Sequence, residues 1–169
     1  FPHCGTSILK SIIGHIKEVE EHYEEVDSIT KDLPENTGKK FLLCKYPFMR
    51  EEFFTENYKD YIKIIITRNP LFIFSSLNKR VPFIQNYLNK VDKVTDVNYE
   101  KPEENHGFAV YVNSLKTFIK YKNNPKDHVY TIRYEDLFEN NYEELKKMLT
   151  SIGLEYDDSI FNNNEHTNY

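Results

Sequence analysis

The stretch Tyr61–Ser76, YIKIIITRNPLFIFSS, decides the fold class. Ile62, Ile64, Ile65, Ile66 and Thr67 form an almost pure β-branched run, interrupted only by Lys63. Such a run suits a strand covered on both faces, as in a parallel sheet. Asn69-Pro70 follows at once. Asn is a favoured helix N-cap and Pro fits the first helical position, so the strand is predicted to pass straight into a helix. Arg68 stands at the junction as a fixed cation at the strand's carboxyl end, where open α/β sheets bind ligands. Ser76 lies about two turns into the predicted helix.

Working outward, the first segment, FPHCGTSILKSIIGHI (Phe1–Ile16), sets Gly5, Thr6 and Ser7 at the mouth of an apolar run. Exposed backbone N–H groups and two hydroxyls at a helix N-terminus suit a phosphate or sulfate. The same residues are also ordinary turn and capping residues, so this stretch alone supports both readings. Ile8, Leu9, Ile12, Ile13, Ile16, Val19, Tyr23 and Val26 follow helical spacing, with Gly14 as a point of interruption. A turn is expected around Pro34–Gly38, and KKFLLCKYPF then reads as a buried strand ending near Lys45 or Tyr46, stopped by Pro47. REEFFTENY suggests a short helix.

Beyond Ser76, residues 92–105 are polar and predict a loop. Phe108–Tyr121 predicts an amphipathic helix with Phe108, Val112, Leu115 and Ile119 on one face. HVYTIRY is a third strand, and NYEELKKMLTSIGL a helix closed by Gly153. Strands alternating with helices give an α/β class with a mainly parallel, buried sheet.

A chain of 169 residues is most simply one domain with a real core. A net charge of −5 without a long basic run argues against nucleic acid as a partner, while leaving room for a local anion site. No apolar run is long enough to span a membrane and no signal peptide is visible. Cys4 and Cys44 form neither a disulfide framework nor a metal-ligand pattern, which suggests reduced thiols in a cytoplasmic-type compartment. A start at Phe1 suggests that something upstream is missing or removed.

Four stretches together resemble one family. PHCGTS resembles the 5′-phosphosulfate loop of the sulfotransferases, and IIITRNPLFIFSS their 3′-phosphate motif of strand, Arg and a later Ser. VYTIRYEDLFENNYEELKKMLTSIGL resembles the family's later strand and helix, and LLCKYP its lysine-bearing strand end. The resemblance covers nearly the whole chain in the family's order. It implies a three-layer P-loop NTPase-like sulfotransferase fold, lacking the strand that normally precedes the first loop. It further implies 3′-phosphoadenosine-5′-phosphosulfate as cofactor, no metal, and transfer of its sulfuryl group to a hydroxyl or amine of a small molecule, sugar or peptide.

Carried over residue by residue, His3, Cys4, Gly5, Thr6 and Ser7 would hold the 5′-phosphosulfate, and Arg68 with Ser76 the 3′-phosphate. His3 replaces the family's loop lysine; two adjacent anionic groups would favour its charged form. His3 and Lys45 are candidates for stabilising the bridging oxygen, although a lysine at a strand end is often simply solvated. On a helical wheel from Ile8, Glu20 falls inside the apolar arc, which makes it the candidate general base, with Glu21 its neighbour. His15 and His22 sit at the edge of the arc as half-buried helix residues, and Glu135 and Asp136 read as structural. The family's basic Gly-rich C-terminal segment is not visible, and the chain is short. An alternative is therefore a non-catalytic nucleotide-binding module of the same fold. A small nucleotide kinase is a poorer one, because GxxxxGK[ST] is absent.

Overall fold

A computed structural model describes residues 4–25, 38–46, 51–80 and 108–162. In chain order its elements are α1 (Thr6–Gly14), β1 (Val19–Glu25), β2 (Phe41–Lys45), β3 (Lys63–Thr67), α2 (Pro70–Arg80), α3 (Phe108–Asn123), β4 (Val129–Arg133) and α4 (Glu143–Ile152). Short 3-10 turns lie at Glu51–Phe54, Glu56–Tyr58, Glu135–Leu137 and Asp158–Phe161. The first two replace the short helix expected over REEFFTENY. His3, Pro47 and the loop expected at residues 92–105 lie outside the described residues, as does the Pro34 turn apart from Gly38.

The chain gathers into two compact units. One takes the described residues of Phe1–Cys4 and Phe48–Glu135, the other those of Gly5–Pro47 and Asp136–Tyr169. In the first, β3 pairs with β4 in parallel, from Lys63 opposite Val129 to Thr67 opposite Arg133. Two parallel strands need a long crossover, here the segment carrying α2 and α3. Ile65, Ile66 and Thr67 are buried, so the carboxyl end of β3 is covered on both faces, as its composition predicts.

The buried face of α3 differs from the expected one. Tyr111, Ser114, Phe118 and Tyr121 are buried, whereas Ile119 is 46% exposed. Phe118 and Tyr121 form a core with Ile65, and Phe54 stacks on Tyr121 with ring centroids 4.6 Å apart. Large aromatic side chains bury much apolar area, and Phe118 and Tyr121 supply it here.

In the second unit, β1 and β2 pair in parallel, with Val19 opposite Phe41 and Glu21 opposite Leu43. Of the residues expected to continue the first helix to Val26, which itself lies outside the described residues, Val19 and Tyr23 instead stand in β1, the helix having ended at Gly14. Ile8, Leu9, Ile12 and Ile13 are buried on α1, and Ile16 and Val19 are each 1% exposed. In the same unit, α4 buries Leu145, Met148 and Leu149. It closes on Gly153 at φ 82°, with the Leu154 N–H donating to the Leu149 carbonyl at 3.1 Å. This is the Schellman closure that the sequence predicts.

The strands are thus parallel and mixed with helices. Among the described residues they form two two-stranded sheets, β1 with β2 and β3 with β4.

Candidate functional site

The candidate residues fall in two places, one in each unit. In the second unit, Gly5 is the N-cap of α1 and adopts φ 93°, ψ 17°, a left-handed conformation. A side chain there would strain the backbone, which accounts for glycine. The Leu9 N–H donates to the Gly5 carbonyl at 3.0 Å, the first bond of the helix. The N–H groups of Thr6, Ser7 and Ile8 precede that bond and have no partner one turn back. Gly5, having no side chain, cannot cap them as Ser or Asp would.

Lys45 closes β2 and reaches this helix start: its Nζ donates to Ser7 Oγ at 2.8 Å. Two of the residues selected from sequence are therefore brought together, a cation and a hydroxyl at the positive end of a helix.

Glu20 is corrected in its setting. It lies on β1, opposite Leu42, and not on a helix. Strand alternation sends Glu20 and Glu21 to opposite faces. Glu21 takes the face under α1, where Lys10 Nζ stands 3.1 Å from its carboxylate. A Cβ added at Gly14 would come within 3.2 Å of the Glu21 Cβ, so the missing side chain of Gly14 lets the helix end approach β1 closely. Glu20 is half-buried on the opposite face from that packing. His15 is exposed at the end of α1, its Nδ1 2.6 Å from the Ser11 carbonyl, while His22 lies on β1.

In the first unit, Arg68 follows β3 directly and is held from several sides. Its guanidinium lies over the Tyr134 ring, 4.0 Å from the centroid, with the Phe72 ring at 5.7 Å. Its carbonyl accepts from the Tyr111 hydroxyl at 3.1 Å. Its backbone N–H donates to the Cys4 sulfur. Burial pushes the Cys4 thiol up, so it stays neutral, and the residue is 1% exposed. Cys4 accordingly acts as a core residue bonded to the strand end, not as an exposed ligand-binding thiol.

Burial likewise pushes the Tyr111 phenol up and keeps it a donor. Asn69 caps α2 as expected, its Oδ1 accepting from the Leu71 N–H at 3.0 Å. Glu135 Oε1 accepts the Asn69 N–H at 2.8 Å, a backbone-holding role for that carboxylate. Ser76 lies half-buried on α2.

Tyr111 and Tyr134 were not singled out from sequence. Tyr134 ends the predicted strand HVYTIRY, and its place at the strand's carboxyl end was the available signal. Tyr111 gave none, because its hydroxyl meets Arg68 across 43 residues of chain. Comparison with protein-family models, with curated proteins and with solved structures finds no match to this chain.

Proposed function

We propose that this chain binds 3′-phosphoadenosine-5′-phosphosulfate and transfers its sulfuryl group to a hydroxyl or amine acceptor. The observation that carries the reading is the 2.8 Å bond from Lys45 Nζ to Ser7 Oγ at the start of α1. A lysine is costly to immobilise, and it is held here on a hydroxyl of the first turn of a helix, the end whose backbone N–H groups favour an anion. An incoming phosphosulfate oxygen can accept from the ammonium, the hydroxyl and the N–H groups of the first turn.

In this reading Gly5 lets the backbone approach the anion, Thr6 and Ser7 donate to it, and Lys45 neutralises charge on the leaving group. The neutral Cys4 thiol stays in the core. Arg68 and Ser76 recognise the 3′-phosphate, the group that separates this nucleotide from ordinary adenosine phosphates. His3 carries the loop-lysine role. When bound, the nucleotide supplies the sulfuryl group, and the transfer asks of the protein mainly positioning and charge stabilisation. The strand position of Glu20 gives no support to a base chosen on a helical wheel, so the proposal rests on the anion-binding residues.

Calorimetry tests it with 3′-phosphoadenosine-5′-phosphate, using ATP as comparator. The wild type is expected to prefer the bisphosphate. Lys45→Met is expected to weaken its binding by about 1.5–3 kcal/mol, the worth of a charge-assisted hydrogen bond. Equal affinity for ATP, or a Lys45→Met variant that binds as the wild type does, would sink the reading.

A further inference from the structure

We propose that residues 140–142 and the 3-10 turn Asp158–Phe161 form a strained latch. Docking of that turn on α4 holds the backbone before the helix left-handed, and undocking releases it. Asn140, Asn141 and Tyr142 stand in succession at φ 48°, 58° and 63°, immediately before α4. Left-handed backbone is disfavoured for any residue with a Cβ, least for Asn and strongly for a bulky side chain. A run of three that ends on Tyr persists where surrounding contacts impose it. The Asn140 and Asn141 side chains are exposed, so the imposing contacts are those of Tyr142.

Tyr142 is gripped at both its ring and its hydroxyl. The ring stacks on Phe161 with centroids 4.6 Å apart, and the hydroxyl donates to the Phe161 carbonyl at 3.2 Å. One turn along α4, Lys146 pairs with Asp158 at 2.9 Å, and its ammonium lies 5.0 Å from the Phe161 ring centroid. The Tyr156 hydroxyl donates to the Lys146 carbonyl at 3.4 Å. Ile160 and Phe161 are each 7% exposed, so the turn is docked. A return of Tyr142 to ordinary backbone would redirect its Cβ and break the stack. The contacts that close the turn therefore oppose the strain that their closure imposes. The turn opens at less cost than its contacts alone would require, as a unit separate from global unfolding.

Native-state hydrogen exchange tests the latch on wild type, Asn141→Gly and Asn141→Ala, which alter an exposed side chain. The reporters are the Ile160 and Asn162 N–H groups, which donate to the Asp157 and Ser159 carbonyls. The Phe41 N–H, bonded to the Glu18 carbonyl, serves as reference for the β1–β2 pair. Both reporters are expected to exchange faster than Phe41, to slow in Asn141→Gly and to quicken in Asn141→Ala, with about fivefold between the two variants. Equal reporter rates in the three proteins overturn the latch, because strain present in both open and closed states cancels. Reporters that exchange no faster than Phe41 overturn it as well, since the turn then has no opening of its own. A strong intraresidue HN–Hα NOE marks a positive φ, and it is expected at Asn141 and Tyr142 in the wild type and lost in Phe161→Ala. Its absence from the wild type, or its persistence in Phe161→Ala, overturns the coupling.

Discussion

Gly5 shows what a single residue contributes here. Its φ of 93° lies in the region that L side chains avoid, and it stands where the chain turns into α1. Left-handed backbone costs a residue with a Cβ about 1–2 kcal/mol, less for Asn, whose short polar side chain tolerates it. Gly5→Ala is therefore expected to lower unfolding free energy by about that amount in urea denaturation, and Gly5→Asn by less. Equal losses would mean that backbone conformation is not why glycine stands there. Residue-level chemistry was legible in part: the Gly-Thr-Ser mouth, Lys45 and the Asn69 cap were all read from the sequence, and the Lys45–Ser7 bond joins two of them. The tyrosines behind Arg68 were not, because a supporting contact such as Tyr111 to Arg68 leaves no local pattern in the chain.

At the scale of elements, α1 and β1 show where pattern reading stops. Glu-rich segments have good helix propensity and are depleted in strands, so VEEHYEE reads as helix by itself. Pairing with β2 overrides that preference, and Gly14 marks the point of change. Its lack of a side chain admits Glu21, which the Lys10 ammonium holds at 3.1 Å. Gly14→Ala gains up to about 1 kcal/mol of helix propensity, less at a helix end, but overpacks the joint by about 1–3 kcal/mol. The expected outcome is a net loss near 1 kcal/mol. In a Glu21→Ala background the obstruction is gone, and the same substitution should be neutral or stabilising. A double-mutant cycle by chemical denaturation measures this coupling, and additive effects would show that the two residues do not compete for space. The strand β3 and the helix α2 posed no such conflict: β-branched run, Asn cap and Pro all agree with the final structure.

At the scale of the molecule, the alternation of strands and helices revealed the α/β class and the parallel pairing, but not which strands would be neighbours. A run such as IIIT states that both its faces are covered, while its ladder partners stand far along the chain on β4, Ile64 opposite Tyr130 and Thr67 opposite Arg133, and are chosen by packing. The two cysteines give each compact unit its own reporter, Cys4 in one and Cys44 in the other. Burial pushes both thiols above the ordinary range, so each is mainly protonated at neutral pH and slow to react. Cys4 is 1% exposed, whereas Cys44 is half-buried on β2. A disulfide reagent added to the native protein is therefore expected to label Cys44 first. Cys4 should react only when its unit opens, its rate rising with urea. Because each folded pKa is raised, labelling of Cys44 should also quicken as pH climbs through the alkaline range, the thiolate fraction growing with it. For Cys4 the opening step comes first, and the pH dependence follows the thiol of the opened state. Peptide mapping of the labelled sites would separate the two rates, and equal labelling of both cysteines in native buffer would contradict the burial of Cys4 against the end of β3.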